Sequence, residues 1–512
     1  MQRIVSQHLL RNGIYFSSPR ILAPNSLKAW FSTTEAPLKD ITPKVEEIKA
    51  KDVVSKTNVS SPPSQKEPPI SIFNNFHEGY PSIPMYKGPS KKRVISDRKR
   101  YLHPSIGHHF KNPVMIVNGK MQYLYDETGR RYLDAFAGIV TVSVGHCHPD
   151  VVRAVNAQSK LLQHTTTIYL NNKVSSYAKH LVKKFPNPLN VVYFVNSGSE
   201  ANDLAMMMAR AYTGNFDIIS LRNCYHGVSL ATMGVCGHHT WKQNMAQGLG
   251  IHHALNPDPY RGAFGDDGPR YAADVLDLIR AATPGRVAAF MAETIQGVGG
   301  TVPLATGYLP EVYNTIRSHG GVCIADEVQS GFGRTGTHMW GFERQGVVPD
   351  IVTLAKGIGN GLPLAAVVTT AKIARSITNR LHFNTFGGNP VSSAGGLATL
   401  KVLERDGYMA NSHDVGEYLM GKLKGLQAKH DVIGDVRGAG LMLGVELVKD
   451  RQMKTPASEE TAKVMEGMKD DGVLIGKGGL FGNVFRIKPP MCFTRGDADY
   501  LIEVMDHQLG KL

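Results

Sequence analysis

Lys356 closes the apolar run IVTLA and opens the glycine-rich run KGIGNGLP, while Asp326 and Glu327 close another apolar run, GVCIA. A lysine at the mouth of a buried strand, with glycines beside it to admit a flat ligand, suits an enzyme that holds a carbonyl compound as a Schiff base. A lone lysine at a strand end is ordinarily just solvated, but here other residues point the same way. Residues 191–212, VVYFVNSGSEANDLAMMMARAY, read as a β-prone run, a turn of small polar residues and an amphipathic helix. Ser197, Gly198 and Ser199 therefore stand where a helix begins and offer backbone N–H groups and hydroxyls to an anion. The same turn also reads as an ordinary helix cap.

A carboxylate that ends an apolar strand, as Asp326 does, must find a cation or hydrogen-bond donors. A protonated pyridine nitrogen would satisfy it. A ring kept cationic in that way accepts the electron pair left when a Cα–H bond breaks, which is the part pyridoxal phosphate plays. Capping of the following turn is the alternative role for Asp326. Gly331, Gly333 and Gly336 spell GxGxxG, yet DEVQS separates them from the apolar run and THMWGFE opens no clear amphipathic helix. A nicotinamide or flavin site is therefore not expected. His146, Cys147 and His148 lack a second ligand pair at a plausible spacing, so no metal is expected either. The five cysteines are scattered without CxxC spacing and read as reduced core thiols.

The elements that must position these groups follow from pattern. From about 150 to 380 helical periods alternate with short apolar runs such as DIIS, AAFMAE, GVCIAD and DIVTLA. Such alternation argues for an α/β fold with a mainly parallel sheet covered by helices, its functional residues lying after the strands. Residues 381–512 mix helices with short strands and are expected to form a smaller α+β domain. Residues 101–149, with a hairpin turning at GluThrGly in KMQYLYDETGRRYLDAFAG, are expected to join it.

With 512 residues, of which 42% are hydrophobic, the chain can bury a large core. No apolar run is long enough to span a membrane. Part of the formal charge of +14 lies in residues 1–34, which hold Arg3, Arg11, Arg20 and Lys28 and no acid. That segment reads as a mitochondrial presequence, with a chloroplast address as the competitor. Its charges are spread among apolar residues, which argues against a nucleic-acid tail. From 35 to 100 Pro, Ser, Lys and Glu dominate, and a disordered or loosely attached arm is expected.

DEVQSGFGRTG, PDIVTLAKGIGNGLPLAAVVTT, NTFGGNP and VRGAGLMLGVEL, preceded by GIVTVSVGHCHPDV and VNSGSEAND, resemble the class III (ω-type) pyridoxal-phosphate aminotransferases. Within them the chain looks most like the branch that works on alanine and glyoxylate. The similarity runs from about Tyr101 to the C-terminus. It implies the fold-type-I architecture and pyridoxal 5'-phosphate as cofactor. Lys356 would bond the cofactor and carry a proton, and Asp326 would pair with the pyridine nitrogen. Gln329 would approach the ring hydroxyl, Tyr225 and Val328 would cover the two ring faces, and Ser197, Gly198 and Ser199 would hold the phosphate. Thr385 would reach the phosphate of a neighbouring subunit, making a homodimer with shared sites, or a homotetramer built on it. Arg486 would bind the substrate α-carboxylate, and Glu293 would stand behind the contact residues. Ornithine- and GABA-type relatives carry a glutamate that screens this arginine, whereas IQGVGG here places Val298 at that position. An unscreened Arg486 suits alanine and glyoxylate, with a β-amino acid such as 3-aminoisobutyrate as second donor. Transfer from other ω-amino acids to pyruvate, decarboxylation of a dialkyl amino acid, and a non-catalytic scaffold are the rival readings. The mitochondrial matrix is the expected compartment.

Overall fold

The structure is a computed structural model and describes residues 83–244 and 248–512. The expected targeting segment and most of the expected arm lie outside the described residues. Where the arm ends, the structure departs from the expectation of disorder: Lys91–Tyr101 forms a helix, α1, with no buried residue. Its reasons are local. Ser90 accepts from the N–H of Arg93, Arg93 pairs with Asp97 one turn later at 2.9 Å, and Arg98, Lys99 and Arg100 stand at the carbonyl end.

A short antiparallel ladder follows: β1 (Ile116–Lys120), β2 (Tyr123–Asp126) and β3 (Arg131–Asp134). After helix α2 (Pro149–Leu161) the chain enters a seven-stranded sheet. Its strands are β4 (Val191–Val195), β5 (Ile218–Leu221), β6 (Ile251–Ala254), β7 (Ala289–Glu293), β8 (Val322–Asp326), β9 (Ile351–Leu354) and β10 (Ala365–Thr369), in the spatial order β4-β10-β9-β8-β7-β5-β6. Only β10 runs against its neighbours. From β5 to β10 every residue of the five central strands is buried, because helices cover both faces. Alternate side chains go to opposite faces. Met291, Ile324 and Val367 pack with α3 (Gly198–Thr213), whereas Phe290, Cys323 and Val368 pack with α4 (Gly268–Ala282) and α5 (Tyr308–Ser318).

The C-terminal part builds a second core. Helices α6 (Pro390–Arg405), α7 (Tyr408–Lys429), α8 (Ser458–Asp470) and α9 (Arg495–Leu509) accompany β11 (Ile433–Ala439), β12 (Met442–Leu447), β13 (Val473–Leu474), β14 (Gly476–Gly478) and β15 (Val484–Ile487). The sheet order is β11-β12-β15-β14, all antiparallel. β13 instead lies parallel to β3, so Tyr123, Tyr125 and Leu133 share a core with Leu419, Phe485 and Leu501. The boundary expected at residue 380 is not where packing changes. α6 puts Leu400, Val402 and Leu403 into the core of the large sheet, and in the C-terminal part the second core begins with Val415.

Candidate active site

Asp326 ends β8, Glu293 ends β7, Lys356 follows β9 by two residues, and Ser197 follows β4 by two. β4, β7, β8 and β9 point the same way, so these residues meet at one edge of the sheet, beyond the carboxyl ends of its strands. A cavity of about 130 Å³ lies there. Ser197, Gly198, Ser199, Tyr225, Asp326, Val328, Gln329 and Lys356, all expected from sequence, line it, together with Glu293.

Lys356 sits at φ +51°, a left-handed backbone that costs a non-glycine residue on the order of 1–3 kcal/mol. Burial holds its amine below the ordinary lysine value, Arg486 pushes the same way, and Asp326 and Glu293 oppose the shift only in part. Such an amine is more readily available as a nucleophile at neutral pH.

Asp326 is 3% exposed, and both its oxygens are occupied. Oδ2 accepts from Asn202 Nδ2 at 2.9 Å and meets His226 Nδ1 at 2.8 Å, and Oδ1 accepts from the N–H of Val328 at 3.0 Å. Burial alone would raise its pKa, but the His226 and Asn202 contacts and the Val328 N–H outweigh it and hold the carboxyl below its usual range. His226 is held well above an ordinary histidine against its own burial, by Cys224 and Asp326. Neither Asn202 nor His226 was singled out in the sequence. Asn202 comes from the interior of α3 and His226 from the loop after β5, and only the position of His226 beside Tyr225 could have signalled it.

The SerGlySer turn is a helix cap. Ser197 caps α3, accepting from the N–H of Glu200 at 3.3 Å, which leaves the N–H groups of Gly198 and Ser199 without partners inside the helix. Glu293 takes the N–H of Tyr225 at 3.0 Å and that of Gly297 at 2.8 Å, so it fixes two loops rather than facing the cavity as a free acid. Tyr225 packs edge-on against Trp241 at 5.1 Å. Thr385 lies apart from this cavity on the exposed segment 381–386, next to Asn384. Asn384 ties that segment to the capped turn through Asn196, at 3.0 Å, and Glu200, at 3.1 Å.

Arg486 comes from β15 in the second core. It is 7% exposed, stacks over Phe136 with its guanidinium carbon 4.9 Å from the ring centre, and donates to Lys477 O at 3.1 Å. Among the described residues no carboxylate lies within ion-pair distance of it. Burial lowers its pKa to about 10, with Glu293 acting the other way. The carbonyl of Val298 accepts from the N–H of Gly479 at 3.0 Å. Phe136 leads into Ala137–Val140, four successive residues at positive φ. Asp134 pins that turn by accepting from the N–H groups of Phe136 and Ala137, at 2.9 and 2.8 Å, and its other oxygen meets His146 Nε2 at 2.6 Å.

The remaining motifs are otherwise engaged. His148 accepts from the N–H of Asp150 at the start of α2. The GxGxxG segment is a run of turns that opens no helix. All five cysteines are free thiols, but Cys147 is exposed rather than in the core.

The model of the class-III aminotransferase family matches residues 106–509. A protein of Arabidopsis thaliana named alanine–glyoxylate aminotransferase 2 homolog 2, mitochondrial, is 58% identical over 429 residues, covering 84% of this chain and 90% of its own. The human mitochondrial alanine–glyoxylate aminotransferase 2 is 43% identical over 443 residues, covering 82% and 86%. Among solved structures, an Arthrobacter phospholyase in complex with phosphoethanolamine superposes with a TM-score of 0.76 at 34% identity, over 82% of this chain and 100% of its own.

Proposed function

Because this chain belongs to the class-III, pyridoxal-phosphate-dependent aminotransferases, we propose that it moves the amino group of L-alanine to glyoxylate, giving pyruvate and glycine. The observation that carries the choice of substrates is Arg486, buried beside the cavity with no carboxylate on it among the described residues. A planar fork of donors with no carboxylate on it there suits a small substrate's α-carboxylate. Both curated relatives carry alanine and glyoxylate in their names.

The cavity fits the cofactor at three points: leftover N–H groups for a phosphate, a charged carboxylate for a pyridinium nitrogen, and a depressed lysine amine for an aldehyde. Once bound, the cofactor supplies the group that takes up nitrogen and the ring that holds the electron pair from Cα. Lys356 would bond the cofactor and, once released, would carry the proton at Cα. Asp326, kept charged by His226, Asn202 and the Val328 N–H, would pair with the ring nitrogen. Tyr225 and Val328 would hold the ring, Gln329 its hydroxyl, and Ser197, Gly198 and Ser199 the phosphate.

Thr385 of a second copy completes the phosphate site. Supporting this, Leu170 and Leu381 are fully exposed, and Ile168, Tyr169, Phe383 and Phe386 are exposed with them. Apolar residues concentrated on two such segments suit burial against another copy of the chain. Both relatives are named mitochondrial, and residues 1–34 are basic and free of acid, so we place the enzyme in the mitochondrial matrix.

Purified protein given L-alanine and glyoxylate is expected to release pyruvate and glycine in equal amounts, and 3-aminoisobutyrate is expected to replace alanine at a lower rate. Release of carbon dioxide or of inorganic phosphate from amine substrates, without pyruvate, would replace transamination by another reaction of the same scaffold.

A further inference from the structure

Lys488 is 0% exposed and directly follows β15, and the hydrogen bonds of its amine go to carbonyl oxygens. Nζ donates to Gln329 Oε1 at 3.1 Å and to Gly297 O at 3.4 Å. Gly297 O also takes Arg486 Nη1, at 3.5 Å, so one carbonyl joins Arg486 to the buried Lys488 amine. Among the described residues no acid pairs with Lys488. A buried amine without an acid costs stability that an apolar side chain of similar size would not. Its placement therefore asks for a role other than holding the fold.

Gln329 supplies one. A carboxamide presents a donor at one end and an acceptor at the other, and either end can be turned to a ligand. Lys488 Nζ donates to Oε1, which engages the acceptor end of the carboxamide on this side and leaves the Nε2 donors for the cavity that Gln329 lines. The backbone at Gly297 packs against the face of the same carboxamide, since a Cβ there would collide with it. We infer that Lys488 is a positioning residue that locks Gln329 with its donor end toward the cofactor's ring oxygen, and so favours the deprotonated form of that oxygen.

This rests on the cofactor reading above. The charged groups acting on Lys488 are Arg486 on β15, Glu293 at the end of β7, Lys356 after β9 and Arg334 in the turn segment after β8. None of them contacts Oε1 of Gln329, so the lock depends on Lys488 itself.

The test is the pH titration of the visible band of the bound cofactor in the purified holoenzyme. A donor on the ring oxygen lowers the midpoint, so Lys488→Met is expected to raise it by roughly half to one pH unit, the worth of one lost hydrogen bond. Gln329→Ala is expected to raise it by a similar amount, and the double variant no further, because the two residues act as one unit. Lys488→Gln, which keeps a donor, is expected to stay nearer the wild-type midpoint. Thermal unfolding of Lys488→Met is expected to match the wild type or exceed it. A midpoint that ignores Lys488→Met would overturn the inference, as would shifts from Lys488→Met and Gln329→Ala that simply add. No visible band in the wild type would overturn the cofactor reading, and this inference with it.

Discussion

Two walls of the cavity are built on opposite electrostatic plans. On the sheet side Asp326 is met by three partners, from α3, from the loop after β5 and from its own turn, and needs nothing more to stay charged. On the side contributed by the second core, Arg486 is buried against Phe136 and two carbonyl oxygens with no carboxylate on it among the described residues. The first wall is complete in the free protein. The second leaves Arg486 without a counter-ion until an anion arrives, because a buried cation without an acid is poorly compensated. Rigid cofactor contacts on one side and unsatisfied substrate contacts on the other are what an enzyme needs if one cofactor is to serve two successive substrates.

Substitutions on the two walls should therefore behave differently. Lys356, which faces both, has the largest expected effect: Lys356→Ala should leave no measurable turnover while far-ultraviolet circular dichroism stays native, and a variant that still turned over would remove the lysine from its role. Asp326→Asn breaks the complete wall. It should lower kcat by about 10²-fold or more with little change in KM, and steady-state kinetics with a near-normal kcat would show that the carboxylate does not govern the ring. Arg486→Lys opens the incomplete wall by losing the bidentate fork. Its expected signature is a KM raised for both alanine and glyoxylate, with kcat/KM down roughly 10-fold or more; a KM raised for neither would take the arginine out of substrate binding.

The smallest expected effect is on stability and its pH dependence. His226 is raised above its ordinary value, so its contribution is present in acid and lost as pH rises through the raised value. Asp326 is lowered, so its contribution is present above the ordinary carboxylate range and lost as pH falls through the lowered value. Thermal melts of the wild type and His226→Gln should therefore differ most between roughly pH 4 and 6.5, by about 1–3 kcal/mol, and converge on either side. A difference independent of pH would mean that His226 acts by packing alone.

The complete wall was the more legible in sequence, and the reason is physical. An apolar strand has to end somewhere, and the charged residue at its end marks the sheet edge, so Asp326 and Lys356 could be placed from pattern, whereas Glu293 came from the family resemblance. The strands and α3 followed for the same reason. Asn202 and His226 could not be read, because their partner is 124 and 100 residues away along the chain. Lys488 looked like one more residue in VFRIKPP, since nothing local says that its acceptors are Gly297 and Gln329. The boundary expected at residue 380 failed because α6 is amphipathic like its neighbours, and only packing tells which core receives Leu400 and Leu403. The helix α1 was hidden by the arm's composition, although its cap and its Arg93–Asp97 pair are both visible in KKRVISDRKRY.

The most direct test of the central claim is a visible absorption spectrum of the purified holoenzyme, taken alone, after L-alanine, and after glyoxylate is added in turn. The account expects a band of the lysine-bound cofactor that disappears with alanine and returns with glyoxylate, as the amino group is received and then given away. A band that ignores alanine, or one that is lost with alanine and not restored by glyoxylate, would contradict it.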